Sequence, residues 1–98
     1  MTEKIVSPDV CVFGDENLET LNIQVELPGV EKNNIDLRFY EDGFYIVAKN
    51  EDTKFMGSYS LVFSVRPENA IANYSNGLLT INVPYRDRLK DGVKVNID

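Results

Sequence analysis

The sequence predicts an all-β chain folded as a two-sheet antiparallel sandwich. Apolar residues alternate with polar ones in run after run: Leu21, Ile23, Val25 and Leu27; Ile35, Leu37 and Phe39; Phe44, Ile46 and Ala48; Leu79, Ile81 and Val83. That is the period-two pattern of strands with one buried face. Turn signals separate the runs, among them Pro28-Gly29, Asp42-Gly43 and Asn76-Gly77, dipeptides that tolerate the positive φ of tight turns. No stretch carries the apolar period of an amphipathic helix. Seven or eight short strands at this spacing pack as two sheets about 10 Å apart, with the inward residues between them.

Taken in order, residues 1–9 are polar apart from Ile5 and Val6 and read as a loose lead-in. Val10 to Val12 form a brief edge strand, stopped by the Gly14–Asn17 turn, with Cys11 read as a small buried hydrophobe. Leu18–Leu27 is the first long strand, with Asn22, Gln24 and Glu26 facing out, and Pro28-Gly29 ends it. Glu31–Asn34 is long enough for one helical turn and no more. Ile35–Phe39 and Phe44–Lys49 make a hairpin around Asp42-Gly43. Asn50–Lys54 is a polar turn. Phe55–Val65 is extended, with Tyr59, Leu61, Phe63 and Val65 on one face. Arg66–Asn69 turns the chain into the last hairpin, Ile71–Ser75 with Leu78–Pro84, where Pro84 cannot donate to a ladder. The expected organisation is one domain: residues 1–17 as lead-in and edge strand, 18–84 as core sandwich, and 85–98 as a charged, solvated tether (Tyr85–Asp91) followed by the aliphatic residues Val93, Val95 and Ile97.

Composition narrows the function. The net charge of −6 argues against nucleic acid and anionic membranes as partners, since both select basic surfaces. No apolar run approaches the ~20 residues of a membrane span. The N-terminal residues show no apolar signal region, and one cysteine permits no internal disulfide; both fit a cytoplasmic setting. The absence of histidine removes the commonest general base and zinc ligand. Carboxylate pairs (Asp15-Glu16, Glu41-Asp42, Glu51-Asp52) sit at turns without the ligand series of a calcium loop. Ser58, Ser60 and Ser64 have nothing to activate them, and no glycine-rich phosphate cradle is present. The expectation is no catalytic residue, no metal and no cofactor: a chain that binds other chains.

Two motifs carry a family resemblance. Ala72, three spacer residues, Asn76-Gly77-Leu78-Leu79 and an alternating strand ending at Pro84 form one; Val25-Glu26-Leu27-Pro28-Gly29-Val30, with Ile35 five residues on, forms the other. Together, and in this order, they resemble the α-crystallin domain of small heat-shock proteins. The resemblance implies an immunoglobulin-like sandwich and an ATP-independent molecular chaperone of the stress response, a holdase for unfolding client proteins, working as a homodimer or small homo-oligomer. It implies a protein-binding groove between the strands at Ile35–Phe39 and Ile71–Tyr74, lined by Leu37, Phe39, Ile71 and Asn73. It also implies a C-terminal aliphatic motif, Val93, Val95 and Ile97, that plugs such a groove on a neighbour; read from the pattern alone, the same residues make a further strand of the sandwich.

The chain departs from that family at three places. Asn50–Lys54 replaces the long loop that swaps between subunits, which leaves edge pairing through Tyr59, Leu61 and Phe63, or a monomer. Leu61 stands where arginine is usual. The N-terminal region offers only Ile5, Val6, Val10 and Val12 in place of a long apolar arm, which implies reduced activity. The alternative is an adaptor like the CS-domain co-chaperones, binding one chaperone partner through a compact sandwich.

Overall fold

In a computed structural model that describes residues 3–98, the chain forms eight strands: β1 (Lys4–Val6), β2 (Asp9–Gly14), β3 (Thr20–Glu26), β4 (Ile35–Tyr40), β5 (Gly43–Lys49), β6 (Thr53–Ser60), β7 (Ile71–Ser75) and β8 (Leu78–Pro84). Single 3₁₀ turns occur at Lys32–Asn34, Pro67–Asn69 and Leu89–Asp91. The strands form two four-stranded sheets in the orders β1-β6-β5-β4 and β2-β3-β8-β7. Every pair is antiparallel except β1 with β6, which run parallel. Among the described residues no helix is long and apolar enough to cross a membrane.

Register explains the core. Leu21 lies opposite Val83, Ile23 opposite Ile81 and Val25 opposite Leu79, so one face of β3 and β8 is continuously aliphatic. Phe44, Ile46 and Ala48 of β5 supply the facing layer, and Leu27, Val30 and Val65 close its ends. All are buried, and among the described residues no polar or charged residue is buried with them. Full burial of such a side chain stabilises by roughly 1.5–3 kcal/mol. Two rings from neighbouring strands stack on Phe44: Phe39 at 5.0 Å and 15°, and Tyr59 at 4.9 Å and 27°.

The hairpins follow their turn chemistry. Asn76 and Gly77 adopt φ of 51° and 81°, and Gly29 adopts 73°. Gly43 is needed for a different reason: a Cβ there would meet the carbonyl oxygen of Tyr59 at 2.4 Å.

Four expectations are corrected. The lead-in contains a strand: Lys4–Val6 pair with Thr53–Phe55 of β6, which brings Val6 opposite the buried Phe55. Three residues are too few to show a period. The chain then breaks at Ser7-Pro8, leaves one sheet and enters the other as β2. Cys11 is exposed, because Val10 and Val12 lie opposite the inward Val25 and Ile23, and alternation turns the residue between them outward. β6 begins inside the expected polar turn, at Thr53, and ends at Ser60. Beyond it the Leu61 amide bonds to the Asp42 carbonyl at 2.8 Å and Val65 bridges to Tyr85, so residues 61–65 pass from one sheet to the other. Finally, residues 85–91 are anchored to the sandwich, as described below.

Ile46 is fully buried in the middle of β5. Ile46→Ala is expected to lower unfolding free energy by about 2–5 kcal/mol in a urea titration followed by circular dichroism, with the slope unchanged.

Candidate functional site: two uncovered sheet borders

The end strands of the two sheets are β1 and β4, and β2 and β7. β6 is also open on one side beyond Phe55, where β1 stops, and its open stretch lines a cleft together with β2. One border of the sandwich thus carries β2 and β6 and the other β4 and β7. An edge strand presents unpaired N–H and C=O groups. Inward-facing side chains at a border are covered by only part of the opposite sheet.

At the β4/β7 border, Leu37 and Phe39 face inward opposite Ile46 and Phe44 and are half-buried. Ile71 and Asn73 do not join them. They lie opposite Asn82 and Thr80 on the outer face, whereas Ala72 and Tyr74 lie opposite the buried Ile81 and Leu79. The expected lining is therefore one position out of phase on β7. The cause is the hairpin: a two-residue Asn76-Gly77 turn sets Ser75 opposite Leu78, and everything else follows by alternation. That signal was present in the sequence. Tyr74 also ties β7 to the segment after β3. Its hydroxyl lies 2.9 Å from the Leu27 carbonyl and 2.6 Å from that of Val30, tying β7 to the turn that carries the chain to β4. Asn50 braces the same turn, its amide donating to the Pro28 carbonyl at 3.0 Å while its oxygen accepts from the Thr53 amide at 2.8 Å.

At the β2/β6 border lies an apolar cleft of about 600 Å³. Val12, Phe13 and Leu21 form one wall, Tyr59, Leu61 and Phe63 the other, and Tyr85 closes one end. The three residues expected to form a pairing edge are thus brought together, as a wall, with Leu61 and Phe63 past the end of β6. Tyr59 folds its ring over Gly57, where a Cβ would come within 2.6 Å of the ring carbons. Phe63 meets Tyr85 edge-on at 6.2 Å. Burial pushes the phenols of both tyrosines up from their ordinary value, aided by the negative charge of Asp9 at Tyr59 and of Asp15 at Tyr85. Because β1 pairs only as far as Phe55, the Met56–Ser60 edge of β6 has no strand beside it among the described residues. Val12 with Phe13, Leu21, and Tyr85 come from three separate parts of the chain, and no local pattern marks them as neighbours.

The segment after β8 is held by backbone and charge. The Tyr85 amide bonds to the Glu19 carbonyl at 3.1 Å and the Arg86 amide to that of Ser64 at 2.9 Å. Arg86 pairs with Glu41 at 2.8 Å, and Lys90 with Glu19 at 2.6 Å. Glu19 is itself positioned by the preceding turn, where the Asp15 carboxylate accepts from the Glu19 amide at 2.9 Å and the Thr20 hydroxyl at 3.0 Å. Past Gly92 the chain joins no strand, and Val93, Val95 and Ile97 are 90%, 77% and 95% exposed. Among the described residues no group of three or more cysteines or carboxylates is placed to hold a metal ion.

No protein-family model matches the chain. It is 31% identical over 103 aligned positions to Small heat shock protein C4 of Rickettsia felis, covering 89% of this chain and 62% of that protein. It is 31% identical to Heat shock protein 16 of Schizosaccharomyces pombe, covering 81% of this chain and 66% of that one. The chain thus spans somewhat under two thirds of the length of these relatives. Among solved structures, heat shock protein 16.0 from Schizosaccharomyces pombe superposes with a TM-score of 0.73 at 22% identity, covering 95% of this chain and 99% of that one; this likeness is one of fold.

The hydrogen bond from the Glu19 amide above all holds the Asp15 carboxyl below its ordinary 3.8; desolvation opposes it, and lesser hydrogen bonds from Thr20 and Asn17 act with it. A depressed carboxyl pKa stabilises the fold above the ordinary value, and that contribution is lost as pH falls through the folded-state pKa. An NMR titration should place the Asp15 midpoint below 3.8, and Asp15→Asn should remove this part of the acid dependence of stability.

Proposed function

Because this chain belongs to the small heat-shock protein family, we propose that it is an ATP-independent holdase of the cytoplasm, binding unfolding polypeptides along its uncovered sheet borders. The observation that carries this reading is the pairing of apolar lining with free strand edge at the same place, in the cleft between β2 and β6. An unfolding client exposes both apolar segments and unpaired backbone, and these are what drive its aggregation. A border that offers both satisfies the client reversibly and lowers the concentration of free aggregation-prone chain. Nothing in this sequence of events needs a bond to be made or broken, and none of the serines or carboxylates is enlisted.

Affinity at one border is modest. Two or three aliphatic groups buried at ~1.5–3 kcal/mol each are opposed by ~1–2 kcal/mol for each backbone residue that becomes ordered. Weak individual contacts suit a holdase that must release its client, and they gain strength when several act together. Assembly into a small homo-oligomer through Val93, Val95 and Ile97 supplies that multiplicity. At the β4/β7 border, Leu37 and Phe39 act with Ala72 rather than with Ile71 and Asn73.

A second reading, an adaptor for one chaperone partner, is favoured by the locked β5–β6 turn, where Asn50 leaves no loop free to swap. The two readings differ in breadth. Heating two unrelated aggregation-prone proteins with an excess of this chain should suppress light scattering of both. Unchanged scattering of both would sink the holdase reading, and an adaptor is expected to leave both unprotected.

A further inference from the structure

The two outer faces of the sandwich differ in charge. On the β2-β3-β8-β7 sheet the outward positions, those that alternate with the core, include Asp9 and Glu26 and no lysine or arginine. On the other sheet the outward positions of β4, β5 and β6 carry Arg38, Lys49 and Lys54 against one acid, Asp36. That face therefore holds two excess positive charges in a chain of net charge −6, whose remainder holds eight excess negative ones. Beside the cations lies apolar surface: Tyr40, Tyr45, Val47 and Met56 surround a shallow depression of about 440 Å³. We propose that this face is a second docking surface, and that its partner is a short acidic polypeptide segment with aliphatic residues between its carboxylates. The proposal goes beyond the sheet borders and does not depend on client binding there.

Three observations point to that partner. The first is an unbalanced pair. Lys49 lies directly opposite Lys54, and like charges at such a position oppose each other. Among the described residues neither joins an ion pair, whereas a carboxylate placed between the two ammonium groups turns one repulsion into two attractions. The second is Arg38. Its Nε donates to Asp36 at 3.3 Å, with the two side chains 62% and 53% exposed. A guanidinium has five N–H donors, so the others stay open to a further carboxylate on the solvent side. The third is spacing. Tyr45, which lies opposite Arg38, and Lys49 are four residues apart on β5, about 13 Å along the strand, with Val47 midway on the same side. An extended segment covers that distance in the same four residues. Carboxylates four apart, with an aliphatic residue midway, then meet the lysine pair, Val47 with Met56, and Arg38. Covering Val47 and Met56 also shields the charge contacts from bulk water, where they are weakest.

The ends of the face limit its partner. The hairpin turns that bound it carry exposed Asp42 at one end and exposed Glu51 and Asp52 at the other. A long uniform polyanion such as a nucleic acid meets repulsion at both ends. A short acidic stretch of polypeptide fits between them.

The test titrates the ¹⁵N-labelled full chain with a synthetic nonapeptide that has glutamate at its first, fifth and ninth positions, leucine at its third and seventh, and serine elsewhere. A parallel titration uses single-stranded oligothymidylate. The peptide is expected to shift the amides of Tyr45, Val47, Lys49, Lys54 and Met56, and to bind more weakly as salt is raised. Lys49→Gln with Lys54→Gln should weaken it roughly tenfold and, because it removes a repulsion, should not lower the urea midpoint of unfolding. Met56→Ser, at an exposed position, should weaken it as well. Shifts centred on Phe13 and Phe63 would overturn the proposal and leave the border reading intact. So would equal binding by the double variant, equal binding of a peptide with lysine in place of glutamate, or no shift at saturating peptide. Oligothymidylate that moves these amides where the peptide does not makes the face a nucleic-acid surface and overturns it too. A lowered urea midpoint in the double variant assigns the lysines to the fold, with the same consequence. Client protection is read separately in the scattering assay and bears on the holdase reading alone.

Discussion

One apolar layer decides the whole structure. Ile23, Val25, Leu79 and Ile81 of one sheet meet Phe44 and Ile46 of the other, and this contact defines inward and outward for every strand. The pleat then leaves no local choice: a residue two positions from a core residue on the same strand points the same way. In the central strands β3, β8 and β5 that rule yields full burial. In the outer strands it yields half-burial, because Leu37, Phe39, Val10 and Tyr59 obey the same alternation with less of the opposite sheet to cover them. The borders are therefore apolar for the same reason that the centre is stable, and no separate binding element had to be added.

How much of this could be read in advance follows from the range over which each signal acts. Long alternations such as Leu21–Leu27 and Leu79–Val83 state their own inward face, and the sandwich and its inner layer were legible from them. Cys11 shows the limit of hydrophobicity as a guide. It sits between two inward valines, so its polarity is irrelevant and its parity puts it outside. Ile71 and Asn73 show a different failure. β7 has no alternation of its own (Ile71-Ala72-Asn73-Tyr74), and its phase is borrowed from β8 through a two-residue turn. The information was local, but in the turn length and not in the strand. β1 and the cleft were legible in neither way. Lys4–Val6 are extended by a partner about fifty residues away, and the cleft is assembled from four segments that meet only after the sheets have stacked.

The polar parts of the chain do structural work at the ends of the sandwich. Asp15 holds Glu19, Glu19 holds Lys90, and Arg86 reaches Glu41. These ion pairs lie at half-exposed or exposed side chains, where a pair contributes about 0–1 kcal/mol. Their effect is directional rather than strongly stabilising: with two backbone hydrogen bonds they fix where the chain leaves the fold. A segment read from composition as a solvated tether thus becomes a bracket, and the aliphatic tail starts from a defined point.

The two borders are consequently not equivalent, although the strand pattern alone would make them so. At β4/β7 the protein has spent a side chain of its own, Tyr74, whose hydroxyl lies within reach of two carbonyls that would otherwise face the gap. At β2/β6 the ring that lines the cleft, Tyr59, lies flat over Gly57 and stacks on Phe44, so it forms floor and not lid. The edge beside it stops being paired where Pro8 takes the chain to the other sheet. Entry there removes water from apolar surface and unpaired backbone together, with nothing to expel but solvent. A difference of one side chain's orientation between two borders of the same sandwich is enough to separate a site already half closed from one that is open.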